Sequence, residues 1–287
     1  MFRVYPVPAE YVKVYNELMI KTWKLAQHTP EGIHFADSTS LDAVTRQLPD
    51  GYYSTFRTYD NCTRVIGLSA HLRRLPDVDA YSLRRQLIPL LEPYRPGEAR
   101  VRVTLTKPGR LYISIEPLKL LPREVYENGV RTETTDVHRD DPRTKSTAFI
   151  AKSEDERKHI AQAGIFEALL VKNGRILEGM TSNFFYIVER DDIPPYLCTA
   201  RNNILLGVTR TMVIRAARGG GVEVRYRPLK LDQLPAVKEA FITSSSRGIV
   251  PVIQIDGVKV GRGRVGPMTK LLMKAYEEYV LSHAEEI

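Results

Sequence analysis

The 287-residue sequence predicts an α/β chain, with α+β character, divided into two domains. Runs rich in β-branched and aromatic residues recur between turn signals, as in Gly51 to Tyr59, Ala99 to Thr106 and Phe184 to Val188. Apolar residues at helical spacing separate them, as in Tyr81 to Leu91 and in Val208, Met212, Val213 and Ala216. Composition shifts near Leu118 to Glu124, where Pro122 and a charged run mark a linker. The expected domains are 1–120, opening with an extension over about 1–45, and 125–287.

With 43% apolar residues the chain has the material for a buried core. No apolar run approaches the roughly 18 residues of a membrane span, and Arg3, Glu10 and Lys13 interrupt the start as they would not in a signal peptide. The expected compartment is the cytoplasm, without a membrane partner. The two cysteines, Cys62 and Cys198, have no metal-ligand spacing and suggest neither a disulfide framework nor a metal site. The formal charge of +8 is spread along the chain with no long basic block, which argues for attraction of small anions and against nucleic acid.

Taken in order, Val12 to Ala26 has spacing compatible with a helix, and Pro6 and Pro8 keep the start extended. Gly51 to Tyr59 reads as a strand, Asp60-Asn61 as a turn, and Arg64 to Leu68 as the return strand, with Ser69 capping a helix. His71, early in that helix, reads as a packing residue. In Ala99 to Thr106, alternation sets Arg100 and Arg102 on one face, where they meet either a substrate carboxylate or water, with Val101 and Val103 opposite. After Asn128 to Thr135, a strand, the polar stretch Arg139 to Ser146 leads into a helix continuing to about Ala163. Arg175 to Leu177 and Phe184 to Val188 flank a polar turn, with Glu178 at the strand end facing it. Val208 opens a helix whose free amides and dipole suit a phosphate. Phe241 to Val252 reads as strand, turn and strand, with Ser244, Ser245 and Ser246 in the turn.

Five stretches in this order resemble one family. Glu178-Gly-Met-Thr-Ser-Asn183-Phe-Phe, the helix motif Leu68-Ser-Ala-His-Leu-Arg-Arg-Leu75, Gly164-Ile-Phe-Glu-Ala-Leu-Leu-Val171, Gly207-Val-Thr-Arg210 and the Ser245 turn are together similar to the class IV aminotransferases. These are fold type IV pyridoxal phosphate enzymes, and they include the branched-chain and D-amino acid aminotransferases. The resemblance covers roughly Gly51 to Val280 and implies their two-domain fold, with a cofactor-binding C-terminal domain and a homodimeric assembly.

The resemblance also implies roles. Nineteen residues separate Lys145 from Gly164 and thirty-three separate it from Glu178, close to the family's spacing, so Lys145 is the expected cofactor-bonding and catalytic lysine, with Lys152 its rival. Glu178 falls on the acid that holds the pyridine nitrogen. Arg57, on the first strand, together with Val208, Thr209 and Ser245, falls on expected contacts to the cofactor phosphate. The resemblance also gives the Ser246 turn to the substrate carboxylate, and the residues themselves add Tyr52 and Tyr53 as aromatic walls and Arg102, or its neighbour Arg100, as a charge among the expected substrate contacts. Branched-chain members carry a tyrosine where this chain has Ile150, so the contact to the cofactor's phenolic oxygen is unassigned. The Arg-x-His of the D-amino acid enzymes and the Tyr-x-Arg of the branched-chain enzymes have no match here, which leaves the donor and its stereochemistry open. The expected activity is a pyridoxal phosphate-dependent transamination between an amino acid, or a primary amine, and a 2-oxo acid. A lyase resembling aminodeoxychorismate lyase, and a basic binding protein without catalysis, are the alternatives.

Overall fold

A computed structural model describes residues 19–26 and 29–287. In chain order the elements are β1 Lys21–Ala26, β2 Thr29–Ile33, α1 Leu41–Arg46, β3 Gly51–Tyr59, β4 Arg64–Val65, α2 Leu68–Leu72, α3 Ala80–Leu91, β5 Ala99–Thr106 and β6 Leu111–Pro117. There follow α4 Arg123–Asn128, β7 Val130–Thr135, α5 Ala148–Lys152, α6 Glu154–Gln162, β8 Glu167–Lys172, β9 Arg175–Gly179, β10 Asn183–Arg190 and β11 Ile193–Thr199. The remainder is α7 Val208–Gly219, β12 Val224–Tyr226, β13 Leu229–Lys230, β14 Glu239–Ser244, β15 Gly248–Ile255, β16 Val258–Lys259, α8 Pro267–His283 and β17 Glu285–Glu286.

Contacts divide the described residues into two compact units, one holding those up to Lys119 with Thr144–Ala151 and Val280–Ile287, the other holding Leu120–Arg143 and Lys152–Tyr279. The first unit is built on a seven-stranded sheet ordered β17-β4-β3-β5-β6-β1-β2. Val101 and Val103 of β5 and Ile113 and Ile115 of β6 bury one face of it against Leu68 and Leu72 of α2 and Leu83, Leu87 and Leu91 of α3. That is the face the alternation of β5 predicts for its valines. The other face is polar and carries Tyr53, Arg57, Arg100 and Arg102, the last held under α1 by Asp42.

Four local expectations are corrected here. Lys21–Ala26 is a strand and not the end of a helix, because Trp23 and Leu25 alternate with polar neighbours, pack on the apolar core and pair with β6. The rest of the expected helix, Val12 to Leu18, and the expected extended start at Pro6 and Pro8 lie outside the described residues. The return strand stops at Val65, since Gly67 at φ 64° starts α2, and no side chain caps that helix, Ser69 included. The helix expected to run to Ala163 is divided, with α5 and α6 on either side of the buried Ser153.

Backbone hydrogen bonds explain why 144–151 belongs with the first unit. Tyr53 N donates to Lys145 O at 2.9 Å and Thr147 N to Gly51 O at 3.0 Å, while Gly51 N donates to the Thr147 hydroxyl at 2.9 Å. The stretch thereby extends the edge of β3, with an antiparallel bridge between Tyr52 and Ser146.

The second unit is organised around a barrel. Its sheet runs β12-β11-β10-β14-β15-β7-β8-β9-β13, and a further pairing of β9 with β10 closes β10, β14, β15, β7, β8 and β9 into a ring. The pairs β15–β7 and β7–β8 are parallel. The closing contact is one residue pair, Asn183 with Glu178. Phe184, Tyr186, Leu169, Ile242 and Val250 lie in the apolar cluster of this unit. Glu239 receives the first amides of α8, from Met268 at 3.1 Å and Thr269 at 2.7 Å.

His71 is the packing residue its place in the helix suggests. It is buried against the Phe56 ring, with Nδ1 3.0 Å from the Ser54 hydroxyl. Burial, and then the charges of Arg74 and Lys145, push its imidazole well below the ordinary value. The folded state therefore refuses a proton that the unfolded state accepts. Stability from this residue is fully present above about pH 6.5 and declines below it, by at most about 1.4 kcal/mol per pH unit. Urea unfolding as a function of pH is expected to show this decline, and His71→Asn to reduce its slope by about one proton.

Candidate active site

Glu178, next to last in β9, has its side chain 3% exposed and is met from three sides. Arg139 Nε donates to Oε1 at 3.0 Å, while Asn183 Nδ2 at 3.2 Å and Leu205 N at 3.1 Å donate to Oε2. Arg139 is itself fixed by donating to Met180 O at 2.7 Å, and Asn183 by donating to Leu205 O at 2.8 Å. An ionised carboxylate can be buried only with such partners, and these hold it as an anion. Sequence reasoning named Glu178 but missed Arg139, Asn183 and Leu205. Asn183 stood in the quoted motif as a turn residue. Arg139 stood in the polar stretch before Lys145, and only the fold brings it to Glu178.

Helix α7 begins at Val208 after Gly207, and no side chain caps it. A Cβ on Gly207 would come within 2.0 Å of Asn183 Oδ1, so the helix start approaches the carboxylate cluster as only glycine permits. The Thr209 hydroxyl donates to Ser245 Oγ at 3.3 Å, joining the helix start to the turn after β14. That turn, containing Ser245 and Ser246, is anchored by Arg247. Its guanidinium donates to Glu167 and to the Thr181 hydroxyl at 3.0 and 2.6 Å and to Ser244 Oγ at 2.9 Å. Glu167 and Arg247 were not foreseen.

In the first unit, Lys145 Nζ lies 5.0 Å from the centre of the Tyr53 ring, and the Arg102 guanidinium lies 4.6 Å from it. Tyr53 is buried, whereas Tyr52, on the other face of β3, is exposed. Arg102 is buried and ion-paired with Asp42 at 2.7 Å, and donates to Leu41 O, the Thr45 hydroxyl and the Thr55 hydroxyl. Its neighbour on that face, Arg100, pairs with Glu116. Arg57 is buried with its guanidinium 4.6 Å from the Tyr59 ring and Nε donating to Thr58 O at 3.3 Å. Arg74, which acts with Lys145 on His71, is a second guanidinium of this unit that sequence reasoning passed over, although it stood in the quoted helix motif. Lys152 makes a 2.6 Å ion pair with Asp140 in the second unit. Ile150 is buried.

The donor set of the second unit fits a phosphorylated pyridine cofactor. It offers a buried anion for a ring N–H and uncapped amides for a phosphate. Thr243, paired in register with Asn183, adds a buried hydroxyl with no hydrogen-bond partner among the described residues, a group that a polar ligand would satisfy.

The family profile described as Amino-transferase class IV matches residues 51–255. A Methanocaldococcus jannaschii protein assigned as a branched-chain-amino-acid aminotransferase is 30% identical over 80% of this chain and 86% of its own length. The Escherichia coli branched-chain-amino-acid aminotransferase is 33% identical over 54% of this chain and 52% of its own. A crystal structure from Thermotoga maritima, assigned to the same activity, superposes with a TM-score of 0.75 at 25% identity, over 91% of this chain and 96% of that one. The branched-chain aminotransferase of Thermoproteus uzoniensis shares the fold at 21% identity, with a TM-score of 0.73 over 94% and 99%. The chain belongs to the class IV aminotransferases. It is a pyridoxal phosphate-dependent transaminase.

Gly207→Ala is expected to displace Asn183 and leave Glu178 with a donor fewer, lowering stability by about 1–3 kcal/mol. Gly219→Ala, at the other end of α7 with nothing within 4 Å of the new Cβ, is the control and is expected to be neutral or better in the same denaturation experiment.

Proposed function

We propose that the protein transfers the amino group of an aliphatic, branched-chain-type amino acid to a 2-oxo acid, with Lys145 carrying the cofactor and Glu178 holding its ring nitrogen. The observation that carries the reading is the three-sided support of the buried Glu178 carboxylate by Arg139, Asn183 and the Leu205 amide. The relatives named as branched-chain aminotransferases supply the donor class.

When bound, pyridoxal phosphate supplies a ring that accepts the electron pair left when the donor's α-carbon loses its proton. The chain's own groups do the rest. Glu178, kept anionic, stabilises positive charge on the ring N–H. The amides of Val208 and Thr209, with the Thr209 and Ser245 hydroxyls, hold the phosphate, and a guanidinium completes its charge balance. The resemblance gives that guanidinium to Arg57. Arg57→Ala is expected to weaken equilibrium cofactor binding, and unchanged binding refutes that contact.

Lys145 Nζ takes the α-proton and returns it to the cofactor side, general acid–base work for which Lys152, tied to Asp140, is less suited. Tyr53 walls the substrate, and Tyr52, expected beside it, lies on the other face of β3. Ser246 offers its turn amide to the carboxylate, and Arg102 orders Tyr53 besides any charge it lends. Assembly as a homodimer in the cytoplasm belongs to the same reading, and sedimentation of an active monomer would contradict the dimer.

Borohydride reduction is expected to fix the cofactor on Lys145, and Lys145→Ala to lose nearly all turnover; label on Lys152 refutes the assignment. Glu178→Gln is expected to slow turnover by about 10² to 10³. An L-branched-chain donor alone should yield one equivalent of its 2-oxo acid per chain, with continuous turnover only after 2-oxoglutarate is added. Turnover with D-alanine in its place would reverse the stereochemical reading, and acceptor-independent pyruvate release from aminodeoxychorismate would reverse the reaction type.

A further inference from the structure

We infer that the outer surface of the barrel carries a second anion site, separate from the groups around Glu178, that takes a small organic anion bearing a phosphate or carboxylate. The observation is a cavity of about 200 Å³ in the second unit, where the β8–β9 turn meets the loop between β11 and α7. Lys172 and Arg175 line it from the hairpin, Arg201, Asn202 and Asn203 from the loop, and Tyr226 from β12. No acidic residue lines it.

What marks this place is that three cations gather around one cavity with no acid in its lining. Some exposed cations elsewhere find carboxylates, as Arg95 does in Glu92, Lys158 in Glu154, Arg225 in Glu223 and Lys274 in Glu278. Lys172, Arg175 and Arg201 make no ion pair among the described residues. Three like charges around one concavity repel each other and focus a positive potential into it, which an entering anion relieves.

Tyr226 tempers the repulsion from one side, its ring centre lying 5.3 Å from the Arg201 guanidinium and 5.8 Å from that of Arg218. Arg201 is also fixed at its backbone, where its carbonyl accepts from Arg143 at 3.1 Å. Beneath the charges lie apolar groups, Leu177 and Pro228, so the cavity suits an anion with a carbon skeleton better than a bare ion. Alternation along β9 sets Arg175 and Leu177 on one face and Glu178 on the other, so this cavity and the buried carboxylate use opposite sides of the same strand. Phosphate esters and polycarboxylates share the chemistry that two guanidinium forks and an ammonium recognise.

The test uses the holoenzyme, in which the cofactor's own phosphate fills its site. Titration calorimetry at low ionic strength with inorganic pyrophosphate, and separately with citrate, is expected to give one site per chain for at least one of them. Arg175→Ala combined with Arg201→Ala is expected to weaken binding at least tenfold while leaving the unfolding temperature without ligand unchanged. Lys172→Glu, at the exposed hairpin, is a second variant expected to weaken it similarly if the pair fails to fold. A preference for pyrophosphate marks a phosphate ester as the ligand class, and a preference for citrate marks a polycarboxylate. Binding of neither anion, or binding that all the variants leave unchanged, overturns the proposal.

Discussion

Burying one carboxylate at the seam of a barrel constrains everything around it. Glu178 and Asn183 form the residue pair that closes the ring of six strands, and the same Asn183 donates to the acid it faces. An unpaired anion there would cost several kcal/mol, so the charge and the closure stand or fall together. Arg139 supplies the compensating charge, the loop before α7 brings the Leu205 amide, and Gly207 lets that helix begin against Asn183. The carboxylate is therefore made rigid by the strand pairing that makes the barrel. Its orientation does not depend on a flexible side chain finding its place after folding.

The first unit positions its lysine by a different device. The backbone of Lys145 and Thr147 is joined to the edge of β3, which sets the direction of the chain before any side-chain contact is counted. Tyr53, one strand position away, then receives the Lys145 ammonium on its ring. Arg102 is committed to the backbone and side chains of α1 and acts as a brace for that ring. This gives a physical reason why an arginine that sequence alternation presented as facing substrate or water carries so many internal bonds.

Much of the architecture was legible because period-2 and period-3.6 patterns in β3, β5, α3 and α7 agree with the faces they bury. Glu178 was legible because its motif couples an acid to the turn that closes the barrel. Arg139 and Arg247 were not, because each acts across many residues of sequence and carries no local signature, while Glu167 stood in a quoted motif with no partner to give it a role. Residues 21–26 were misread because their few apolar side chains satisfy a helical spacing loosely, and the strand partner that decides the matter lies near residue 113. Gly67 went unseen as a helix start because its cap is a left-handed backbone turn and not the side-chain oxygen that sequence reasoning seeks.

The pairing of β17 with β4 sets an order of events in synthesis. Leu68 N donates to Glu285 across 217 residues, and Ile287 N donates to Thr63 O. Until that stretch leaves the ribosome, β4 remains an open edge and the start of α2 lacks its partner. At about 5–20 residues per second the interval is on the order of ten to forty seconds. The sheet of the first unit, made before the barrel, is thus completed only after it. In that window its exposed edge is the place where a chaperone, or a second nascent chain, would engage it.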